Sequence, residues 1–244
     1  MPEPVPSLVV KRQGRVAVLT LNRPEHGNRL TTTLAGEVVA GLRAARDDAE
    51  VGACVLTGAG DVFCLGGDYR GAGPTAEGRT AYADALLAMD DAMTRLGKPL
   101  IAAVNGNAHA GGFGLMVACD LAVAADDATL GLPEAAAGLF PFIALATVRD
   151  ALPKKVLFDL IYRARLIGTE EAFSLNLINE ALPRAQVLAR AVALAEHASS
   201  YNSEIIALGR GLYYETRAAR PREALDKARR ALIAALAAAD RTLQ

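Results

Sequence analysis

The period of the apolar positions changes several times along the chain, and each change marks an element. Leu8 to Val10 and Val16 to Leu21 are β-branched and aliphatic runs around Gln13-Gly14. They predict a hairpin whose second strand ends at Asn22-Arg23-Pro24. Leu34, Val38 and Leu42 then recur at helical spacing behind the hydroxyls of Thr31 to Thr33, predicting a helix from about Thr33 to Asp47. Ala53 to Thr57 is a short continuous apolar run closed by Gly58-Ala59-Gly60, the pattern of a strand buried on both faces. After a loop bracketed by Gly66-Gly67 and by Gly71 to Pro74, Tyr82, Leu86, Met89 and Met93 line one face of a second helix. Leu100 to Val104 reads as another buried strand, followed by a small-residue stretch from Ala108 to Gly114, a helix over Leu115 to Ala118 and a strand over Leu121 to Ala124.

This recurring strand, turn and helix order predicts parallel strands joined by crossover helices. From about Thr169 the pattern becomes mostly helical, through Ala185 to Ser199, Ser203 to Thr216 and Pro221 to about Ala239. The expectation is an α/β core over residues 1–183 and a helical region over 184–244, with no internal repeat and no long linker.

Composition narrows the reading further. With 244 residues, 52% of them hydrophobic, the chain can bury a sizeable core. Its 26 basic residues nearly balance its 27 acidic ones, so no overall charge draws it to nucleic acid or an acidic membrane. Cys54, Cys64 and Cys119 lie in apolar runs without metal-ligand spacing and read as reduced core thiols. Met1 to Ser7 has no signal-peptide pattern, and no later apolar run reaches spanning length without charge, so a cytoplasmic protein is expected.

Two glycine-rich stretches are candidates for chemistry. Phe63-Cys64-Leu65-Gly66-Gly67-Asp68 lets the backbone turn sharply and present an amide to a ligand, although an ordinary loop has the same composition. Asn105 to Gly114 leads from a buried strand into an apolar helix, whose first amides lack internal partners and would stabilise an oxygen gaining negative charge. The same glycines also suit a close helix–strand approach that needs no ligand. Neither stretch has dinucleotide or Walker spacing.

Together, in order and separation, these stretches resemble the two oxyanion-hole motifs of the crotonase (enoyl-CoA hydratase/isomerase) superfamily. Asn22-Arg23-Pro24-Glu25 with Asn28 is similar to its opening motif, and Phe63 to Asp68 to its F-x-x-G-x-D loop. Val104-Asn105-Gly106 followed by Ala110-Gly111-Gly112 is similar to its V-N-G-x-x-x-G-G-G segment, and Cys119-Asp120 closes the next helix as in the family. The match is collinear from about Leu8 to Pro183. It implies an α/β fold with a crotonase-like spiral of (ββα) units, a helical C-terminal region, and a homotrimer or homohexamer acting on an acyl-CoA thioester with no cofactor beyond the coenzyme A of the substrate.

Carried over by position, the resemblance makes the amides of Gly67 and Gly111 the pair that holds the thioester oxygen. Asn22, Arg23, Gly66, Asp68, Arg70, His109 and Phe142 become candidates for substrate binding. Arg70 falls where family members often carry a basic residue near the CoA phosphates, or is simply a solvated surface arginine, and Asp68 is better suited to ordering its own loop than to chemistry. His109 is a candidate second proton carrier, or simply a packed histidine. Hydratases of the family use two glutamates. Here Gly114 stands at the first position, and only Glu134, in Leu130-Gly131-Leu132-Pro133-Glu134, remains.

One carboxylate is sufficient to take a proton α to the thioester and return it at the γ carbon. The reading therefore favours enoyl-CoA isomerisation, with hydration, other crotonase lyase or hydrolase chemistry, and non-catalytic acyl-CoA binding as alternatives. The Pro141-Phe142 pair is likewise similar to that of the family's isomerases. Leu132, Leu139, Phe140 and Phe142 are expected to raise the Glu134 pKa by excluding water. The stripe of Leu225, Ala228, Leu232 and Leu236 suits either a subunit contact or the chain's own core.

Overall fold

The computed structural model describes residues 6–242 apart from 72 and 218, without side-chain detail at 221 and 234–242. Most of the leader segment considered above, and the side chain of Leu236, lie outside the described residues.

The first hairpin forms as the sequence predicts, with β1 (Leu8–Gln13) antiparallel to β2 (Val16–Leu21). α1 (Thr32–Asp47) follows, capped by the Thr31 hydroxyl, which accepts the Leu34 amide at 3.0 Å. β3 (Ala53–Gly58) and β4 (Val62–Cys64) precede α2 (Ala76–Thr94), capped in the same way by Thr75. Next come β5 (Leu100–Val104), β6 (Asn107–His109) and α3 (Gly111–Val117), then β7 (Leu121–Ala125) and β8 (Thr129–Gly131). The latter part holds α4 (Phe142–Val148), α5 (Lys154–Tyr162), β9 (Leu166–Gly168), α6 (Thr169–Ser174), β10 (Glu180–Leu182), α7 (Arg184–Ser199), α8 (Ser203–Thr216) and α9 (Pro221–Thr242).

Two sheets carry the fold. The larger has the order β1-β2-β3-β5-β7-β10 and is parallel except for β1, while the smaller has the order β4-β6-β8-β9. Period-2 alternation divides the large sheet's side chains between two apolar layers. Leu19, Leu21, Cys54, Leu56, Ala102 and Val104 face α1, α2 and the small sheet. Val16, Val18, Val55, Ile101 and Val123 face the other way and are covered by Val187, Ala191, Val192 and Ala195 of α7. Because both faces are covered, β3 and β5 are buried at every position and read as unbroken apolar runs.

The short strands of the small sheet escape the periodicity analysis. β4 and β6 are three residues each and fall inside the glycine-rich motifs, where no alternation develops. The helix expected over Leu115 to Ala118 begins four residues earlier, at Gly111, so the glycines form its first turn rather than a loop before it. In the stretch after Thr169, expected to be mostly helical, β10 adds a parallel edge strand to the large sheet just before the helical region over 184–244. Leu225 and Leu232 on α9 are solvent-exposed and Ala228 is half-buried, so these positions are not part of the chain's own core. Among the described residues, no helix is long and apolar enough to cross a membrane.

Candidate active site

The two glycine motifs meet where the small sheet joins the helices. Leu30 makes a parallel bridge to the strand-like segment at Gly67, its amide donating to the Gly66 carbonyl at 2.9 Å and its carbonyl accepting the Asp68 amide at 2.8 Å. Those bonds use the groups on either side of Gly67 and leave its own N–H directed away from Leu30. Gly111 is the first residue of α3, and a first-turn amide has no carbonyl one turn behind it. The preceding Ala110 takes φ 54° and ψ −126°, a conformation costly for a residue with a Cβ, and this turn sends the chain from β6 straight into α3. A Cβ built on Gly111 would stand 3.6 Å from the Gly67 nitrogen, and one on Gly66 would stand 3.1 Å from the Gly111 nitrogen. The two amides are thus neighbours, and both residues line one cavity.

That cavity, of about 420 Å³, is walled mainly by apolar side chains: Leu86, Met89 and Met93 of α2, Leu115 of α3, and Phe140 with Ile143 near the start of α4. The stripe read from the sequence as one face of α2 therefore faces the cavity. Tyr82, Tyr69 and Arg79 also contribute, and they were missed as site residues because nothing in their local sequence separates them from other amphipathic-helix and loop positions.

Glu134 enters the cavity from a short 3-10 turn, Pro133–Ala137, which ends at Gly138 in the left-handed region at φ 71°. It is only 4% exposed, and its Oε2 has no hydrogen-bond partner. Burial pushes its carboxyl pKa above the usual glutamate value, in the direction expected from its apolar neighbours. Leu139, Phe140 and Phe142 share the cavity with it. Phe142 is 77% exposed and sits at the rim, as Leu139 does. At Gly114, which also lines the cavity, a Cβ would come within 3.1 Å of the Ala144 Cβ and 3.2 Å of its Cα. α4 is thus seated where a side chain at 114 would project. The cavity's other carboxylate, Asp90, lies eight residues beyond Tyr82 on α2, roughly 12 Å along the helix axis. It accepts a hydrogen bond from the Thr147 hydroxyl at 3.2 Å.

The remaining sequence-derived candidates are placed outside the cavity lining. Asn22 donates from its side chain to the Pro6 carbonyl at 3.0 Å. Arg23 donates to the Arg29 carbonyl at 2.6 Å and pairs with Asp68 at 3.5 Å, and Asp68 in turn accepts the Gly71 amide at 3.3 Å. Arg70 is exposed on the same loop, and Gly66 is buried beneath Gly67. His109 is half-buried on β6, its Nε2 2.8 Å from the Thr129 hydroxyl, and burial lowers its pKa. Asn28, fully buried at φ 51°, donates to the carbonyls of Ala59 and Val62 and accepts the Arg23 amide, so this motif residue fastens loops. The thiols of Cys54 and Cys64 are buried, and burial pushes each pKa up to about 12.

The chain is similar in sequence and fold to known proteins. Enoyl-CoA hydratase EchA19 of Mycobacterium tuberculosis is 35% identical over 205 residues, covering 80% of this chain and 75% of that protein. The 2,3-dehydroadipyl-CoA hydratase of Escherichia coli is 34% identical over 197 residues, covering 77% and 74%. Among solved structures, an enoyl-CoA hydratase of Mycobacterium smegmatis superposes with a TM-score of 0.90 at 26% identity, covering 95% of this chain and 91% of that one. Residues 11–239 match the enoyl-CoA hydratase/isomerase family, and with the fold and paired amides described above the chain belongs to that family.

Proposed function

We propose that the protein binds an acyl-CoA thioester with its carbonyl oxygen between the amides of Gly67 and Gly111, and that Glu134 moves a proton along the acyl chain to convert a 3-enoyl-CoA into the conjugated 2-enoyl-CoA. The observation carrying this reading is the buried Glu134 carboxylate, with its Oε2 unpaired, in the same cavity as both amides and with no carboxylate at position 114. Removal of the α proton yields an enolate whose charge rests on the thioester oxygen, where two fixed N–H donors stabilise it without reorganising. The carboxyl, now holding the proton, returns it at the γ carbon, so atoms and charge balance without a further reactant. Its raised pKa suits a group that must both take up and release a proton.

Water addition is the second reading, and the two hydratases to which the chain is similar favour it. Against it stands α4 at Gly114: a second carboxylate there would need Ala144 to move. The exposed stripe on α9 supports the expectation of a homotrimer or homohexamer. The deciding experiment incubates purified protein with 3-enoyl-CoA and, separately, with 2-enoyl-CoA in water, following products by mass spectrometry. Isomerisation that disappears in Glu134→Gln supports the proposal. Hydration without isomerisation replaces it with the second reading, and undiminished isomerisation in the variant removes Glu134 as the base.

A further inference from the structure

Among the described residues, only two buried side-chain polar atoms lack a hydrogen-bond partner, Glu134 Oε2 and Tyr82 Oη, and both residues line the same cavity. Buried hydroxyls are nearly always satisfied, so one left open in the cavity that holds Glu134 calls for a partner that arrives with the substrate. Tyr82 lies on α2 and is only 6% exposed. Its hydroxyl oxygen is placed directly over Gly67: a Cβ added to that glycine would collide with it. The nearby Asp68 amide is committed to the Leu30 carbonyl at 2.8 Å. The ring is held edge-on against Tyr69, with centroids 5.9 Å apart, which constrains the position of the hydroxyl oxygen and leaves its hydrogen free to turn toward a ligand.

We propose that the Tyr82 hydroxyl is a third donor to the thioester oxygen, adding a side-chain hydrogen bond to those of the Gly67 and Gly111 amides and gaining strength as the enolate forms. This deepens the reading above and rests on it. Burial raises the phenol pKa well above its ordinary value, so the group keeps its proton and acts as a donor at neutral pH. No bond to the proton breaks: the hydrogen bond shortens as charge develops and relaxes when the proton returns to carbon. The hydroxyl's position also gives position 67 a steric reason to be glycine, because a side chain there would displace the donor.

The test uses acetoacetyl-CoA, a 3-oxoacyl thioester that ionises to an enolate with its own ultraviolet absorption. Titrating the bound ligand with pH measures how strongly the site favours the enolate, whichever reaction the enzyme performs. Wild-type protein is expected to shift the bound ligand toward the enolate, and Tyr82→Phe to reduce the bound enolate-to-keto ratio by about 10-fold or more, with a similar fall in kcat and little change in KM. The thermal midpoint of Tyr82→Phe should equal or exceed that of wild type, because the substitution removes a buried hydroxyl that has no partner in the free protein. An unchanged ratio in Tyr82→Phe overturns the third donor while leaving the two amides in place. Absence of any enolate shift in wild type overturns the amide pair, and the tyrosine proposal with it.

Discussion

Two polar clusters, at the cavity that holds Glu134 and at the dock of α8, use their hydrogen-bonding groups in opposite ways. At the dock, Arg210 is only 7% exposed in its side chain and spends its donors on Asp120, at 2.9 Å and 3.1 Å, and on the carbonyls of Met93 and Thr94, each at 2.8 Å. Its guanidinium also lies 4.9 Å from the Tyr214 ring centre, and Asp120 further accepts the Leu100 amide at 2.8 Å. α8 buries no residue fully, so this cluster serves as its anchor. In the cavity, by contrast, Glu134 and Tyr82 carry buried polar atoms that the protein leaves unpaired. A saturated cluster stabilises the fold, whereas an unsaturated one holds free energy that a bound substrate can release. Substitutions in the first should therefore change stability and spare turnover, and those in the second should do the reverse.

The largest effect expected is from Glu134→Gln. Loss of the proposed proton carrier should reduce kcat by about 10²- to 10⁴-fold, the range of general acid–base contributions, with acyl-CoA affinity retained. Steady-state kinetics together with calorimetric binding of a saturated acyl-CoA checks both halves. Turnover within a few-fold of wild type would erase the distinction between the clusters, because the unpaired carboxylate would then be a structural accident.

Adjacent glycines sharpen the contrast next. A methyl at Gly111 meets its neighbours at 3.6 Å, ordinary contact distance, but occupies the space between the two amides. Gly111→Ala should fold normally and lose about 10²- to 10³-fold in kcat, as when one donor of such a site is removed. A methyl at Gly112 would instead run into the Cys64 carbonyl group, and β4 would have to move. Gly112→Ala should lose soluble, cooperatively unfolding protein before any kinetic effect can be measured. Thermal unfolding of the two variants side by side decides between the cases, and a normally folded, active Gly111→Ala would contradict the site geometry.

Arg210→Met tests the saturated cluster. It leaves the Thr94 carbonyl and part of Asp120 unpaired and takes one of two donors from the Met93 carbonyl, at an expected cost of about 2 to 4 kcal/mol in urea unfolding. The folded fraction should still turn over within about threefold of wild type.

The sequence is informative about these regions to different degrees. The parallel core was legible because burial on both faces writes unbroken runs such as Ala53 to Thr57 and Leu100 to Val104. The amide pair was proposed from resemblance of motifs, and a local reading is insufficient for it: the groups proposed to hold the thioester oxygen are main-chain N–H groups, so Gly67 and Gly111 carry no distinctive side chain. The asparagines that stand out in those motifs hold loops together, Asn28 across to Ala59 and Val62, and Asn105 to the Gly58 amide and the Gly60 carbonyl. Tyr82 is legible only as part of one face of a helix, since the difference between a filled core and an open cavity is not encoded in periodicity. Arg210 and Asp120 are 90 residues apart, and such a long-range polar match leaves no local signature at all.

The smallest effect comes from the cost of keeping Glu134 ready. Its carboxyl pKa is raised in the folded chain and returns to the ordinary value on unfolding, so between those two values the folded state holds more protons. Stability should then fall as pH rises through that window, and remain reduced above it. Glutamine has no proton to lose, so Glu134→Gln should unfold at a higher denaturant concentration than wild type at neutral pH, with the gap closing as pH drops below the usual carboxylate range. The same titration governs activity with the opposite consequence. The base must be ionised to act, so the acid limb of kcat/KM should lie above the ordinary glutamate range. An acid limb at the ordinary value, with a pH-independent stability difference between wild type and variant, would mean that water reaches the carboxylate freely. Glu134 would then belong with the satisfied groups of the fold rather than with those held open for a substrate.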